Sequence, residues 1–515
     1  MAQLISLTGV EISYPLPGKM REIRTNAGQA GGVVPSWKAV IYCNKLASIG
    51  SGSVDGYGDA LDYPRLIQGG EAEVVARCGL KSEGLLLWRA FRAANPNTTD
   101  VALCIVAPGT GSATCDFTVA NTATAPGTIR IDCAGESVFV GYQSGDTVAT
   151  VSGLVRSAIN AHPYWPVVGT GASPTVTATT SMAGTRHDHH INQMRITVLT
   201  PGTAVTVTKG AVTPGSTDDD FTTSIVNLEN AGYFWVVNPK HATAGLTSTD
   251  NGIGEMAAAM ANYVAPSSGK QMALVLGSTA TVSQATAVAI SVNQPWATMA
   301  HSEDNDWSPG MIAAHYCGAL AMMTASNRGA NLADYGVKNS ADRFYVPDPY
   351  SKDDRATVTE QKTLVNNGVT PIAFSDSGKA KIVWPVSTKS LTNSVNDYRS
   401  RPFHTWLCAC DYWETLSIEL DSVMQPNVAD DWSDKQKPIP GFSTPKDMAA
   451  VMRRVVDLKT GDGGPATLDP SQRQAMKDSV FTERQSSGLS GRIDIGAVRH
   501  NLRQWLLINE VSPSI

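Results

Sequence analysis

The residue pattern changes character twice along this chain, and that change constrains the fold more than any single motif. On either side of a central block, strand-like and helical runs alternate. "SWKAVIYCNKL" reads as a strand, "SEGLLLWRAFRAAN" as a helix and "DVALCIVAP" as a buried strand. Ser82 with Glu83 marks the start of that helix and Asn95-Pro96-Asn97 its end. Such alternation indicates α/β layers. From 111 to 215 Thr, Val, Ala and Gly take over in "GTIRIDCAGESVFVGYQ", "TVTATTSMAGT" and "RITVLTPGTAVTVTKGAVT". That composition reads as strands, with one helix, "DTVATVSGLVRSAINA", after Gly145. Helical patterns return in "FTTSIVNLENAGYFWVVNP", "NGIGEMAAAMANYVA" and "PGMIAAHYCGALAMMTAS". The expectation is a mostly-β domain inserted into an α/β host.

A chain of 515 residues is too long for one ordinary core, so several domains are expected. Its charged fraction of 17% is below the usual quarter or so, which implies a neutral polar surface or one buried against partners. The net charge of −6 leaves no basic footprint for nucleic acid. The first residues lack a charged-then-apolar leader, so export by a signal peptide is not expected. "GMIAAHYCGALAMMTA", from Gly310, is too short and interrupted to span a bilayer and reads as a buried helix. Eight scattered cysteines without paired CxxC spacing read as reduced core thiols of a cytosolic product.

Three segments lack a local strand partner. "NNGVTPIAFSDSGKAKIVWPVSTKS", 366 to 390, reads as a hairpin around Ser-Asp-Ser-Gly, with Val369, Ile372 and Phe374 before the turn and Ile382, Val383 and Val386 after it. Pro371 and Pro385 lack the N–H of a central strand, which places the hairpin at a sheet edge. Near the start, Ile5 and Leu7 share one parity and Val10 and Ile12 the other; a bulge at Gly9 would make one strand with a single apolar face. Near the end, Trp505, Leu506, Leu507 and Ile508 form a short apolar run. The hairpin needs partners and the two ends lack them, the complementary halves of β-augmentation.

Other motifs read as structural. "RHDHH", Arg186 to His190, groups three imidazoles with a carboxylate, yet its place after Gly184 and before a strand favours a solvated loop over a metal site. Cys408 and Cys410, two apart on an apolar helix, point to different sides and read as core thiols. "SSGKQM" and "SDSGKAK" lack the spacing of a phosphate loop and read as turns. "AHSEDND", Ala300 to Asp306, reads as a polar loop before a helix, without nucleophile geometry. A C-terminal helix, "TPKDMAAVMRRVVDLKTGDGG", starts at Pro445 and stops before Gly461. It carries Lys446, Arg453, Arg454 and Lys459, cations that suit either a solvated face or a partner. No cofactor and no catalytic or metal residues are expected.

Taken in order, several stretches resemble the contractile tail sheath proteins of myophages, in particular the Mu-like branch. "ARCGLKSEGLLLWRAFRAANPNTTDVALCIVAP" resembles the opening of their outer region, and "VFVGYQSGDTVATVSGLVRSAINAHPYWPVVG" their inserted domain. "SPGMIAAHYCGALAMMTASNRGANLADYGVKN" is similar to the small-residue helix that precedes the return inward. "LVNNGVTPIAFSDSGKAKIVWPVSTKS" resembles their hairpin and "FTERQSSGLSGRIDIGAVRHNLRQWLLI" their closing segment. Thr8-Gly9-Val10 stands where the family has Pro-Gly-Val, and Ser387-Thr388-Lys389 where it has Arg-Thr.

The resemblance implies an α/β multidomain fold: an extended arm over 1–25, an outer α/β domain over 26–110 and 216–355, the insertion over 111–215, an inner α+β domain over 356–502 and a second arm over 503–515. It implies that terminal arms of neighbouring subunits complete the small sheet of the inner domain, a head-to-tail contact that repeats into an open helix. It further implies a non-enzymatic homo-oligomer of stacked six-fold rings in a virion tail, made in the host bacterial cytoplasm. Its partners would be a tail tube faced by the Lys446–Lys459 helix, a baseplate and a tail terminator, with neither direct nucleic-acid contact nor membrane insertion. The alternatives are a tail tube, a baseplate component or a receptor-binding spike.

Overall fold

The computed structural model describes residues 5–7, 10–12, 37–49, 61–96, 99–229, 231–247, 252–264, 270–326, 344–349, 351–392, 395–396, 401–423, 427–431, 442–461, 467–468, 470–485 and 488–492. They fall into two compact units. One comprises the described parts of Met1–Pro35, Thr324–Asn331 and Leu407–Ile515, the other those of Ser36–Met323 and Leu332–Trp406.

The chain opens with β1 (Ile5–Leu7) and β2 (Val10–Ile12), which pair antiparallel with Leu7 opposite Val10. This corrects the expectation of one bulged strand. Pairing of the two short strands satisfies backbone bonds that a lone strand leaves open.

The larger unit begins with β3 (Ala39–Cys43), β4 (Pro64–Leu66), α1 (Gly70–Cys78), α2 (Glu83–Ala94) and β5 (Val101–Ile105). Every residue of β3 and β5 is buried, as their unbroken apolar runs require of central parallel strands. Ser82 caps α2 by accepting from the Leu85 N–H. After the insertion come α5 (Thr222–Leu228), β13 (Trp235–Val237), α6 (Ile253–Tyr263), β14 (Ala273–Ser278), α7 (Val282–Val292), β15 (Ala297–His301), α8 (Pro309–Ser326), α9 (Val358–Asn366), β16 (Thr370–Phe374) and β17 (Ala380–Ile382). Together they build an eight-stranded sheet in the order β17-β16-β15-β14-β13-β3-β5-β4. The six inner strands are parallel, and β4 and β17 are antiparallel edges. One face packs Val40, Val236 and Leu274 on Ile225, Met256 and Val288 from α5, α6 and α7. On β14 a Cβ at Gly277 would lie 1.9 Å from the Pro309 carbonyl oxygen, so only a glycine lets α8 approach this closely.

The insertion contributes β6 (Thr114–Ala120), β7 (Gly127–Cys133), β8 (Glu136–Tyr142), α3 (Val148–Ala161), β9 (Val167–Thr170), β10 (Thr175–Thr180), α4 (Asp188–Gln193), β11 (Arg195–Val198) and β12 (Thr206–Thr213). Two antiparallel sheets, β12-β6-β10-β9 and β11-β7-β8, share a core of their own with α3. Val151, Val155 and Ile159, four apart, turn one side of α3 into that core beside Phe117, Ile129 and Trp165.

The chain continues through the short pair β18 (Leu391–Thr392) and β19 (Val395–Asn396) into α10 (Phe403–Val423). The smaller unit then holds β20 (Asn427–Val428) parallel to β21 (Phe442–Ser443), α11 (Pro445–Lys459), α12 (Arg473–Asp478) and the antiparallel pair β22 (Phe481–Gln485) and β23 (Gly488–Arg492). Thr444 and Asp447 form a capping box ahead of α11, with Pro445 in its first turn. Val451, Met452, Val455 and Val456 bury one side of α11 against Tyr412 and Leu416 of α10.

Candidate assembly surfaces

The hairpin read from 366–390 is present: β16 and β17 pair from Ile372–Ile382 to Phe374–Ala380 around a turn closed by Gly378 at φ +77°. Its setting differs from the expectation. It closes the eight-stranded sheet of the larger unit rather than standing in a small C-terminal sheet, and β16 bonds β15 through Thr370 and Pro371. One of its edges is therefore taken within the chain. Pro371 is tolerated where the strand changes partner, since the ladder to β15 ends there and the ladder to β17 begins at Ile372. Val369, Ile372, Ile382 and Val386 are buried, and Phe374 and Val383 partly so. They form core, and only the outer backbone edge of β17 lacks a strand neighbour among the described residues.

The smaller unit holds a second hairpin that the motif reading passed over. β22 and β23 pair over five residues, from Phe481–Arg492 to Gln485–Gly488, and among the described residues no third strand joins them. The Thr482 hydroxyl donates to the Pro445 carbonyl at 2.8 Å, tying β22 to the start of α11. Phe481 is 59% exposed. A two-stranded ribbon is marginal in water without further strands or a packed face. The Ser-Ser-Gly at 486–488, between "FTERQ" and "LSGRI", was the available turn signal.

The cations of α11 do not act as one patch. Lys446 and Arg453 are exposed. The Arg453 Nε donates to the Lys477 carbonyl at 3.3 Å, and Arg454, half-buried, stands 3.5 Å from Glu419. Lys459 turns inward: its ammonium lies 2.7 Å from the Asp411 carboxylate, which is 2% exposed and also accepts from the Thr467 hydroxyl. The partner-facing reading of Lys459 is corrected accordingly. β1 and β2 hold Ile5, Leu7, Val10 and Ile12, whereas Trp505, Leu506, Leu507 and Ile508 lie outside the described residues.

"RHDHH" is not a solvated loop. Residues Thr185–His187 make a 3-10 turn that runs into α4, with His187 and His190 buried. The Arg186 guanidinium, 4% exposed, meets Glu83 at 2.7 Å, Asp219 at 2.8 Å and the Asn44 side-chain oxygen at 2.7 Å. Asp219 accepts from the Gly109 N–H at 2.8 Å, and Glu83 from the Asn44 N–H at 2.9 Å. Gly109 and Asp219 belong to the two linkers of the insertion, while Asn44 and Glu83 belong to the host. The linkers also bond each other, Ser216 N–H to the Thr110 carbonyl at 2.8 Å, and Thr185 of the insertion donates its N–H to the Thr217 carbonyl at 3.0 Å. Burial raises the Glu83 carboxyl to about 7 against the pull of Arg186, and burial lowers the His190 imidazole to about 3. The chemistry is that of a clamp holding the insertion to the host. Among the described residues no group of three or more His, Cys, Asp or Glu side chains is arranged to hold a metal ion.

Cys408 and Cys410 are buried free thiols on α10. In the Ala300–Asp306 stretch His301 is buried and bonds the Ala280 carbonyl at 2.7 Å, so part of this polar loop belongs to the interior. No described helix is long and apolar enough to cross a membrane.

No protein-family model matches the chain, and no curated protein matches it. Among solved structures the chain is similar to a sheath tail protein from Listeria innocua, at 11% identity and a TM-score of 0.46 over 93% of this chain and 94% of that one. It is likewise similar to a sheath tail protein from Desulfitobacterium hafniense, at 11% identity and a TM-score of 0.45 over 94% and 97%. A chain of the anti-feeding prophage baseplate aligns over 49% of this chain and 71% of that one, at 11% identity and a TM-score of 0.29.

Proposed function

We propose that this chain is the structural subunit of a contractile tail sheath. It polymerises helically, as stacked six-fold rings, around a tail tube, and contracts on a baseplate trigger to drive the tube through a target envelope. The observation that carries the reading is the β22–β23 ribbon, whose two edges have no strand neighbour among the described residues. The outer edge of β17 and the apolar runs near both chain ends support it. The ends of neighbouring subunits supply the strands that these edges lack, so each contact is head-to-tail and open-ended.

Backbone pairing alone does not hold such an arm. About six ladder bonds contribute roughly 3–9 kcal/mol, while ordering about eight residues costs roughly 8–16 kcal/mol. Burial of side chains such as Ile5, Leu7, Trp505 and Leu506, at about 1.5–3 kcal/mol each, closes the gap. Single contacts are then weak and the lattice strong, because each subunit is held at several points. Isolated subunits stay soluble until a baseplate and tube nucleate them, and the extended lattice is a kinetic trap.

Deletion of residues 1–15, or of 503–515, tests the reading by negative-stain microscopy of the co-expressed particle. The intact chain gives hollow striated cylinders and each deletion gives none. Cylinders of normal length from both deletions would refute it. Lys446 and Arg453 are the proposed tube contacts; reversing their charge leaves sheaths that do not attach to the tube.

A further inference from the structure

We propose that Cys43 and Cys78 are a latent staple, a dithiol that closes into an intrachain disulfide when a small-molecule disulfide oxidises it. Cys43 ends β3 and Cys78 ends α1, and both thiols are fully buried. The neighbouring Cys78 and burial raise the Cys43 thiol well above its ordinary value. Gly84, in the first turn of α2, locates the pair independently. A Cβ built there would lie 2.7 Å from the Cys78 sulfur and 3.1 Å from the Cys43 sulfur, so the two flank one small space that only a glycine leaves open. The backbones converge as well. Leu46 donates its N–H to the Cys78 carbonyl at 2.9 Å, and Gly84 donates to the Asn44 carbonyl at 3.2 Å. Adjacent backbones with both sulfurs beside one small space are what a disulfide needs, since its Cα atoms stand only about 4.4–6.8 Å apart.

The other cysteines do not share this arrangement. Cys104 faces the α5–α7 side of the sheet, Cys115 and Cys133 lie in the core of the insertion, Cys317 lies on α8, and Cys408 and Cys410 lie on α10. Closure is thiol–disulfide exchange. One cysteine thiolate, its proton lost to solvent, attacks the small disulfide and expels one thiol, leaving a mixed disulfide. The second cysteine then attacks that mixed disulfide at the protein sulfur and expels the other thiol. Two cysteine thiols and one small disulfide become one cystine and two small thiols. Because both sulfurs are buried, opening of the α1 end sets the rate. The setting rests on the sheath reading: a particle assembled in a reducing cytoplasm meets oxidising surroundings only after release.

The test needs no assembly, so its failure is separable from failure of that reading. The purified full-length chain is held for hours in oxidised glutathione, denatured, blocked with an alkylating agent and digested with trypsin without reductant. The expected product is "AVIYCNK" joined to "CGLK", with two of the eight thiols lost and restored by reductant. The Cys78→Ala variant gives no joined peptide. Recovery of both peptides singly, each with a blocked thiol, would overturn the proposal, as would Cys43 joined to a different cysteine.

Discussion

Replacing Arg186 by Met tests whether the insertion is clamped or merely tethered. The guanidinium stands within 2.8 Å of both Glu83 and Asp219, whose side chains are 4% and 0% exposed. Methionine fills a similar volume and removes the guanidinium that ion-pairs with both buried carboxylates. Stranding a buried charge in this way costs about 3–5 kcal/mol, or roughly 200- to 5,000-fold in the folding equilibrium at 1.36 kcal/mol per decade. The sign of the pH dependence follows from Glu83. Its folded-state carboxyl is raised to about 7 by burial, above its unfolded value, so the proton it takes up stabilises the fold at low pH and this contribution is lost as pH rises through 7. Without Arg186 the raising is greater. The gap between wild type and R186M is therefore widest at pH 8 and narrows by pH 5.5. Urea unfolding at both pH values, with proteolysis of the linkers around Gly109 and Asp219 as a second readout, measures it. A loss under about 1 kcal/mol, or a gap that does not change with pH, would refute the clamp.

Three further outcomes are expected. His190, His301 and His315 are buried, and burial lowers them to about 3, 4 and 4; unfolding therefore takes up protons, and stability is full above about 6.5 and falls as pH drops towards 4, by up to about 3 kcal/mol per group. His315 accepts from the Tyr345 N–H at 2.8 Å through the nitrogen that would be protonated, so exchange of that amide in hydrogen-exchange mass spectrometry should accelerate first. Gly277→Ala drives a methyl into the Pro309 carbonyl and should lower the urea midpoint by at least the 1–3 kcal/mol typical of overpacking. Lys459→Met removes the cation beside buried Asp411 and should cost about 3 kcal/mol in the smaller unit, whereas Lys446→Met, on an exposed residue, should change stability by less than about 0.5 kcal/mol; equal effects in urea titrations would contradict the inward placement of Lys459.

Local rules placed much of the fold correctly because the relevant forces act over a few residues. Ser82 accepts an orphan N–H within the first turn of its helix, Pro445 sits where a missing N–H costs nothing, and the Ser-Asp-Ser-Gly turn needed only a residue that accepts φ +77°. The runs at 39–43 and 101–105 read as buried strands from composition alone. The same rules failed where the deciding partner is distant in sequence. The hairpin does lie at a sheet edge, as its prolines required, but nothing local showed that β15 pairs with the far side of β16. Arg186 and its histidines read as a polar loop because the carboxylates that bury them stand 103 and 33 positions away.

The sequence by itself determined which segments are helix, strand and turn, and that a β-rich block interrupts an α/β chain, since periodicity and capping are properties of neighbouring residues. Tertiary structure alone decided which edges stay open and which charges are buried. Both depend on what the folded chain brings alongside a residue, and a linear pattern carries no record of that neighbour.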